Sequence, residues 1–291
     1  MSKIYLQLSG GLGNQLFQFA FAKTLSLITK KKLIIEIKSK LNDRYKRKVA
    51  LNSSLIKKHK FRSSFYSFVI FFIFKLEIIL KKLFKKNTII NRQWGIFFDD
   101  RYFPHSYINF FDRIYKKNIF ILGYFQSVKY FDKYKKIIIK CINIKPKKSL
   151  EYQFYEKLIL KKNSVAICVR LYEEIKKKYK YRIGRVDNEN FYNRSIQQIY
   201  KKIKNPYFFI FCSHNSIFLK KLKFKNNKNT LSLAGDKKIQ DAQTTVKLIS
   251  LCKHHIVSNS SFYFWGSYLS KNKGIKLYSK NFVNKDILKN N

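Results

Sequence analysis

The chain has 291 residues, 46% hydrophobic and 17% aromatic, which is enough for two domains with cores of their own and excludes wholesale disorder. Its 62 Lys+Arg against 16 Asp+Glu leave a net charge of +46, a positive field that attracts phosphates, nucleic acid or anionic lipid. Excess Lys, Ile, Asn, Phe and Tyr together is also what an AT-rich coding sequence produces, and the lysines are spread as doublets and triplets rather than gathered in one arm, which speaks against nucleic acid.

Met1-Ser2-Lys3 runs straight into a strand, so no secretory signal is expected. Ile4, Leu6 and Leu8 alternate with Tyr5 and Gln7, the period of that strand. Ser9-Gly10-Gly11-Leu12-Gly13-Asn14-Gln15 then turns into a helix on which Leu16, Phe19, Ala20, Lys23 and Leu27 fall at helical spacing, with Asn14 placed to cap the first turn. The glycines predict positive φ and a close approach to a ligand, and the helix start offers unpaired N–H groups, so the turn is an expected anion site. Gly-Gly-x-Gly is neither the dinucleotide fingerprint nor a P-loop, and a plain tight turn is the alternative. The amides of Asn14 and Gln15 are more than a turn requires.

Residues 32–37 alternate like a second strand, and 38–60 are polar, basic and expected to be irregular. Residues 65–80 are apolar apart from Ser67, Lys75 and Glu77, short of the roughly 20 residues a spanning helix needs. Lys57, Lys58, Lys60 and Arg62 precede them and Lys81, Lys82, Lys85 and Lys86 follow, so residues 57–86 suit either an anionic membrane surface or a buried core helix. Residues 87–90 and the aromatics Trp94, Phe97 and Phe98 come next. Residues 119–124 read as a strand ended at Gly123, after which Phe125-Gln126-Ser127 opens a helix carrying Tyr130 and Phe131. The basic run 145–148 with Pro146 is the expected boundary, giving domains 1–148 and 149–291.

The second half alternates. Residues 165–169 read as a buried strand, 190–203 as a helix with Phe191, Ile196, Ile199, Tyr200 and Ile203 on one face, 207–212 as a strand and 217–222 as a helix start. Residues 241–253 read as helix, 255–258 as strand, 262–269 as helix and 275–278 as a last strand. Such alternation predicts an α/β fold with a parallel sheet, whose ligands bind beyond the carboxyl ends of the strands. Three polar clusters fall at those ends: residues 170–174, Ser213-His214-Asn215, and Ser258-Asn259-Ser260-Ser261. The Arg170 fork suits a diphosphate, with a solvated cation as the alternative. The serine cluster offers hydroxyls, an amide and a helix N-terminus to phosphate or sugar oxygens, or is a plain N-cap. Glu173 and Glu174 can take a proton from a hydroxyl, or pair with lysines. Cys141, Cys168, Cys212 and Cys252 make no Cys-x-x-Cys and read as reduced thiols of a cytoplasmic protein, while His254 and His255 point to opposite faces of a strand, so no metal site is expected.

Three blocks then carry a resemblance. Ser9-Gly-Gly-Leu-Gly-Asn-Gln-Leu-Phe-Gln-Phe-Ala20 resembles the signature of the α-1,2-fucosyltransferase family, glycosyltransferase family 11. Residues 123–131 resemble that family's Tyr-Trp-Gln-Ser block, and residues 251–269 are similar to its C-terminal block, in the family's order. The resemblance implies a GT-B-like pair of Rossmann-type domains with mostly parallel sheets facing a cleft. GDP-fucose would be held mainly by the C-terminal domain and the acceptor sugar in the cleft. It implies inverting transfer of fucose, with no metal or cofactor beyond the nucleotide sugar, to galactose O2 in an α-1,2 linkage on a bacterial-type surface glycan or lipid-linked oligosaccharide. Fixed donors on the diphosphate would stabilise the charge gained by leaving GDP.

The expected donor site joins Gly11, Gly13, Asn14 and Gln15 to Arg170, Ser213, Asp241, Asn259, Ser260, Ser261 and Phe262, with Arg170 and Glu173 as catalytic residues and Glu173 as the base. The chain departs from the family. His-x-Arg-Arg-x-Asp reads Cys168-Val169-Arg170-Leu171-Tyr172-Glu173, which keeps one fork, and Ser-Asp-Asp reads Ser213-His214-Asn215. An Asp expected five residues before Ser250 is Thr245, with Asp241 four residues earlier as the substitute partner of guanine. Another nucleotide sugar, or a non-catalytic basic protein binding nucleic acid or membrane on the same fold, are the alternatives. The expected place is the cytoplasmic membrane face, peripherally, with an anionic lipid surface as a partner and no nucleic acid.

Overall fold

The computed structural model describes residues 2–36, 50–51, 60–62, 72, 76, 96–98, 118–171, 186–239 and 241–282. The chain divides into two compact units that part between Asn143 and Ile144.

The first unit contains β1 (Lys3–Gln7), α1 (Leu12–Thr29), β2 (Lys32–Glu36), β3 (Lys60–Arg62), β4 (Ile96–Phe98), β5 (Ile119–Leu122) and α2 (Lys135–Cys141). Its five strands run in the order β3-β2-β1-β5-β4, every pair parallel, with Ile4 opposite Leu33 on one side and Ile119 on the other. The central β1 is covered on both faces, so Tyr5 and Gln7 are buried along with Ile4 and Leu6, where alternation alone predicts one buried face. Most of α1 is buried too, as a helix apolar around much of its circumference must be. Phe21 stacks on Phe125 with centroids 4.1 Å apart, and Phe17 meets Phe131 at 6.0 Å. Phe125 opens no helix. That stack is formed with its backbone left-handed at φ 48, and two 3-10 turns, Val128–Tyr130 and Asp132–Tyr134, lead from there into α2.

Of residues 65–80, Phe72 and Leu76 are described, and both are helical and exposed. The rest of that segment, with the choice between core and membrane, lies outside the described residues, as do residues 38–49, 52–59 and 87–95. No helix among the described residues is long and apolar enough to cross a membrane.

The second unit contains α3 (Leu150–Lys161), β6 (Asn163–Cys168), α4 (Glu189–Lys202), β7 (Pro206–Phe211), β8 (Thr230–Ser232), α5 (Ala242–Leu251), β9 (His254–Val257), α6 (Ser261–Tyr268) and β10 (Lys276–Tyr278). The order is β10-β9-β6-β7-β8, all parallel. The chain moves outward from β6 to β8, then returns to β9 on the other side of β6. Winding therefore reverses between β6 and β9, and a crevice opens at their carboxyl ends. Val165, Ile167, Val169 and Leu171 share a core with Tyr192, Ile196 and Ile199 of α4 and Phe208 and Ile210 of β7. Residues 217–222 form only a 3-10 turn, Ile217–Lys221, because the backbone goes extended at Leu222. The basic run before α3 is tied to α5: Lys145 and Lys147 donate their backbone N–H groups to Gln243 Oε1 at 3.0 Å and Thr244 Oγ1 at 2.9 Å.

Candidate functional site

Each unit carries expected site residues at the carboxyl edge of its sheet. In the first unit the loop leaves β1 and enters α1 through Gly10, at φ 73 the one glycine of the three in the left-handed region. A Cβ there would stand 2.6 Å from Asn14 Nδ2 and 3.2 Å from the Tyr124 ring, so both conformation and space require glycine. Gly11 is the N-cap, extended at φ −80, and no side chain caps the helix. Gly13 lies within α1. Asn14 therefore does not cap: it is the third residue of α1, and its Oδ1 accepts from Gln126 Nε2 at 2.7 Å.

Gln15 and Gln18 brace this loop. Gln15 Nε2 donates to the Gly10 carbonyl at 2.7 Å, and its Oε1 accepts from the N–H groups of Ala50 and Leu51 at 3.1 and 2.8 Å. Gln18 Nε2 donates to Ser9 Oγ and the Gly123 carbonyl, both at 2.8 Å, while its Oε1 accepts from the Ser9 N–H at 3.0 Å. Both side chains are buried, and the expectation that the Gln15 amide meets a ligand gives way to this structural role. What the loop can offer a ligand is the backbone amides of the first turn.

In the second unit the candidate residues gather at the reversal between β6 and β9. Alternation sends Leu171 into the α4 core, where it is buried, and leaves Arg170 on the opposite face beside the β9 loop. The Arg170 Nη1 donates to the Asn259 carbonyl at 2.9 Å. The position at which the resemblance expects a second arginine, Leu171, is thus a core position.

Asn259 is gripped at its other end as well. Its N–H donates to Asp187 Oδ2 at 3.0 Å, and the same carboxylate accepts at Oδ1 from Asn281 Nδ2 at 2.9 Å and from the Ser279 hydroxyl. Asp187 is buried and ties the loop after β9 to the exit of β10. Tyr192, buried beneath this edge, has its phenol pKa pushed up by desolvation first and by the Asp187 charge second, and stays protonated. A pocket of about 220 Å³ opens beside it, lined by Arg170, Leu171, Val186, Asp187, Asn188 and Glu189 together with Phe218. Pockets that enclose a whole small molecule hold roughly 300–1,000 Å³, so this one has room for only part of a ligand.

Ser260 is the N-cap of α6 and makes no side-chain cap, while Ser261 and Phe262 form the partly exposed first turn. Ser213, exposed after β7, has its hydroxyl 2.9 Å from His214 Nδ1. Asp241 is the N-cap of α5 rather than part of its face, and its Oδ1 accepts from Gln243 and Thr244 N–H at 3.1 and 2.9 Å. That bond competes with any role on a base. Thr245 Oγ1 donates to the Ile239 carbonyl at 2.8 Å. Glu173 and Glu174 lie outside the described residues.

Cys168 and Cys252 are buried thiols whose pKa burial pushes up, so both are held as neutral S–H. His255 is buried, with Nε2 2.9 Å from the Ile249 carbonyl, and desolvation pushes its pKa down to about 3, outweighing that bond. His254 Nδ1 accepts from the Ile275 N–H at 2.9 Å. Both histidines are part of the packing.

Residues 3–291 match the family model described as glycosyl transferase family 11. The chain is 25% identical to an alpha-1,2-colitosyltransferase of Escherichia coli, covering 92% of this chain and 88% of that protein. It is 23% identical to the O-antigen biosynthesis glycosyltransferase WbnK of Escherichia coli, covering 92% and 90%. Among solved structures it is similar to a mutant of Arabidopsis thaliana FUT1 in complex with GDP, at 11% identity, 94% and 70% coverage and a TM-score of 0.49.

Proposed function

The chain belongs to glycosyl transferase family 11, and from that premise we propose that this glycosyltransferase moves fucose from GDP-fucose to a hydroxyl of a surface glycan or lipid-linked oligosaccharide. The acceptor group in this proposal is galactose O2, giving an α-1,2 linkage. The observation that carries the donor assignment is Arg170 anchored on Asn259 at the reversal between β6 and β9, over a loop pinned by Asp187. The planar guanidinium matches a diphosphate, and the α6 N-terminus beside it adds partial positive charge.

As the glycosidic carbon separates from GDP, negative charge builds on the leaving phosphate. A cation already fixed in place stabilises that charge without having to reorganise. The proposal gives Asn259, Ser260, Ser261 and Phe262 to the sugar and phosphate oxygens, with Ser213 and Asp241 as further donor-site residues. Glu173, three residues beyond Arg170, is the proposed base that takes the acceptor proton late in the transfer. The proposal assigns charge stabilisation to Arg170 and needs no metal, so EDTA is expected to leave turnover unchanged.

The alpha-1,2-colitosyltransferase relative favours a second reading, in which the donor carries colitose. A nucleotide-sugar panel separates the readings by thermal shift and by GDP release with a galactose-terminated acceptor, since only ligands of the folded state raise the melting temperature. GDP-fucose is expected to give the largest shift and turnover. Faster turnover of activated colitose would install the second reading. No shift with any nucleotide sugar, together with steeply salt-dependent RNA binding, would leave a basic binding protein on a transferase fold.

A further inference from the structure

We propose that the outward face of α3 is a docking surface for an anionic lipid bilayer. The helix turns Tyr152 and Ile159 into the protein, and its opposite side carries Leu150, Phe154, Lys157 and Lys161 at spacings of four, three and four, flanked by Gln153 and Leu160. Leu150 is 81% exposed, Phe154 59% and Leu160 57%, three large apolar side chains on a helix of 12 residues. No acid lies on that face. Glu151 pairs with Lys238, and Glu156 accepts from the Tyr152 hydroxyl, so both acids are turned aside and held by the protein.

The next α-helix in the chain shows what an ordinary solvent face looks like here. The exposed positions of α4 are Asn190, Arg194, Gln197, Gln198, Lys201 and Lys202, with no large apolar side chain among them. On α3, apolar tips project between lysines, and the exposed Lys147 and Lys148 sit just before its first turn. Apolar side chains entering the acyl boundary while lysines meet anionic headgroups is the pattern of a helix lying in a membrane interface. A chain of net charge +46 complements such a surface and repels a second copy of itself, which favours lipid over self-association. This surface stands independently of the donor assignment.

The test is flotation with vesicles of phosphatidylcholine alone or with 30 mol% phosphatidylglycerol, repeated in about 0.5 M salt, where screening removes diffuse attraction. Wild type is expected to float with the anionic vesicles and to keep a substantial bound fraction in salt. Leu150→Ser/Phe154→Ser/Leu160→Ser should lower that fraction at least fivefold with an unchanged melting temperature, and Lys157→Glu/Lys161→Glu should lower it at low salt. In a Phe154→Trp chain, brominated lipid should quench the added emission. Equal flotation of the triple-serine variant, or no quenching of Trp at that site, overturns the proposal in favour of diffuse charge. A wild-type dimer that the triple-serine variant dissociates overturns it in favour of a second copy.

Discussion

The loop after β1 and the loops after β6 and β9 occupy equivalent places in two parallel sheets, yet they are built for different tasks. The first is closed upon itself, with Gln15 and Gln18 directing their side-chain amides to backbone and hydroxyl groups of the loop and its neighbours. The second holds a cation and a buried carboxylate on either side of Asn259, with an open pocket alongside. A glycine-rich turn can thus be a brace, while the cation proposed for the donor phosphates stands where winding reverses in the other unit.

The largest expected effect comes from the carboxylate. Asp187→Ala leaves Asn259 N–H and Asn281 Nδ2 without their acceptor and should cost about 3 kcal/mol in urea unfolding, with turnover reduced more than tenfold. Asp187→Asn should recover most of the stability and part of the activity. If Asp187→Ala kept full activity, the pinned loop would have no part in the site.

Gln18→Ala removes three hydrogen bonds, one buried and two part-buried, and should destabilise by about 2 kcal/mol, with nucleotide affinity changed at most two- to threefold. A larger loss of nucleotide binding than of stability would make the first loop a ligand site after all. The pH dependence of unfolding is expected to be smaller. With its pKa at about 3, His255 is neutral in the folded protein but takes up a proton in the unfolded chain below about 6.5. Stability from this group is present above that value and falls as pH drops from about 6.5 toward 3, by about 1 kcal/mol between pH 6.5 and 5.5. His255→Leu should flatten the slope in melting temperature over that range. Smallest of all, Glu151→Gln breaks an exposed ion pair with Lys238 and should leave the melting temperature unmoved.

The α/β class is legible in the alternation of apolar strand-like and helix-like runs along the chain, and the blocks around Gly10, Gly123 and Ser258 reveal the family. The braces are less legible. Gln15 looks like a ligand amide because its partner Leu51 lies 36 residues away, and Gln18 draws no notice because Gly123 lies 105 residues away. Asp187 escapes notice for the same reason: Asn259, Ser279 and Asn281 are 72, 92 and 94 residues distant. The one local signal is a rare acid in a basic chain, just before the Asn188 cap of α4. The core position of Leu171 is readable in the parity of β6, since Val165, Ile167 and Val169 lead directly to it.

Isothermal titration of GDP into wild type, Arg170→Ala and Gln18→Ala tests most directly whether the second unit holds the donor phosphates. Arg170→Ala is expected to bind at least tenfold more weakly at an unchanged melting temperature, and Gln18→Ala to bind within two- to threefold of wild type. Wild-type affinity in Arg170→Ala, or loss of binding in Gln18→Ala alone, would contradict that assignment.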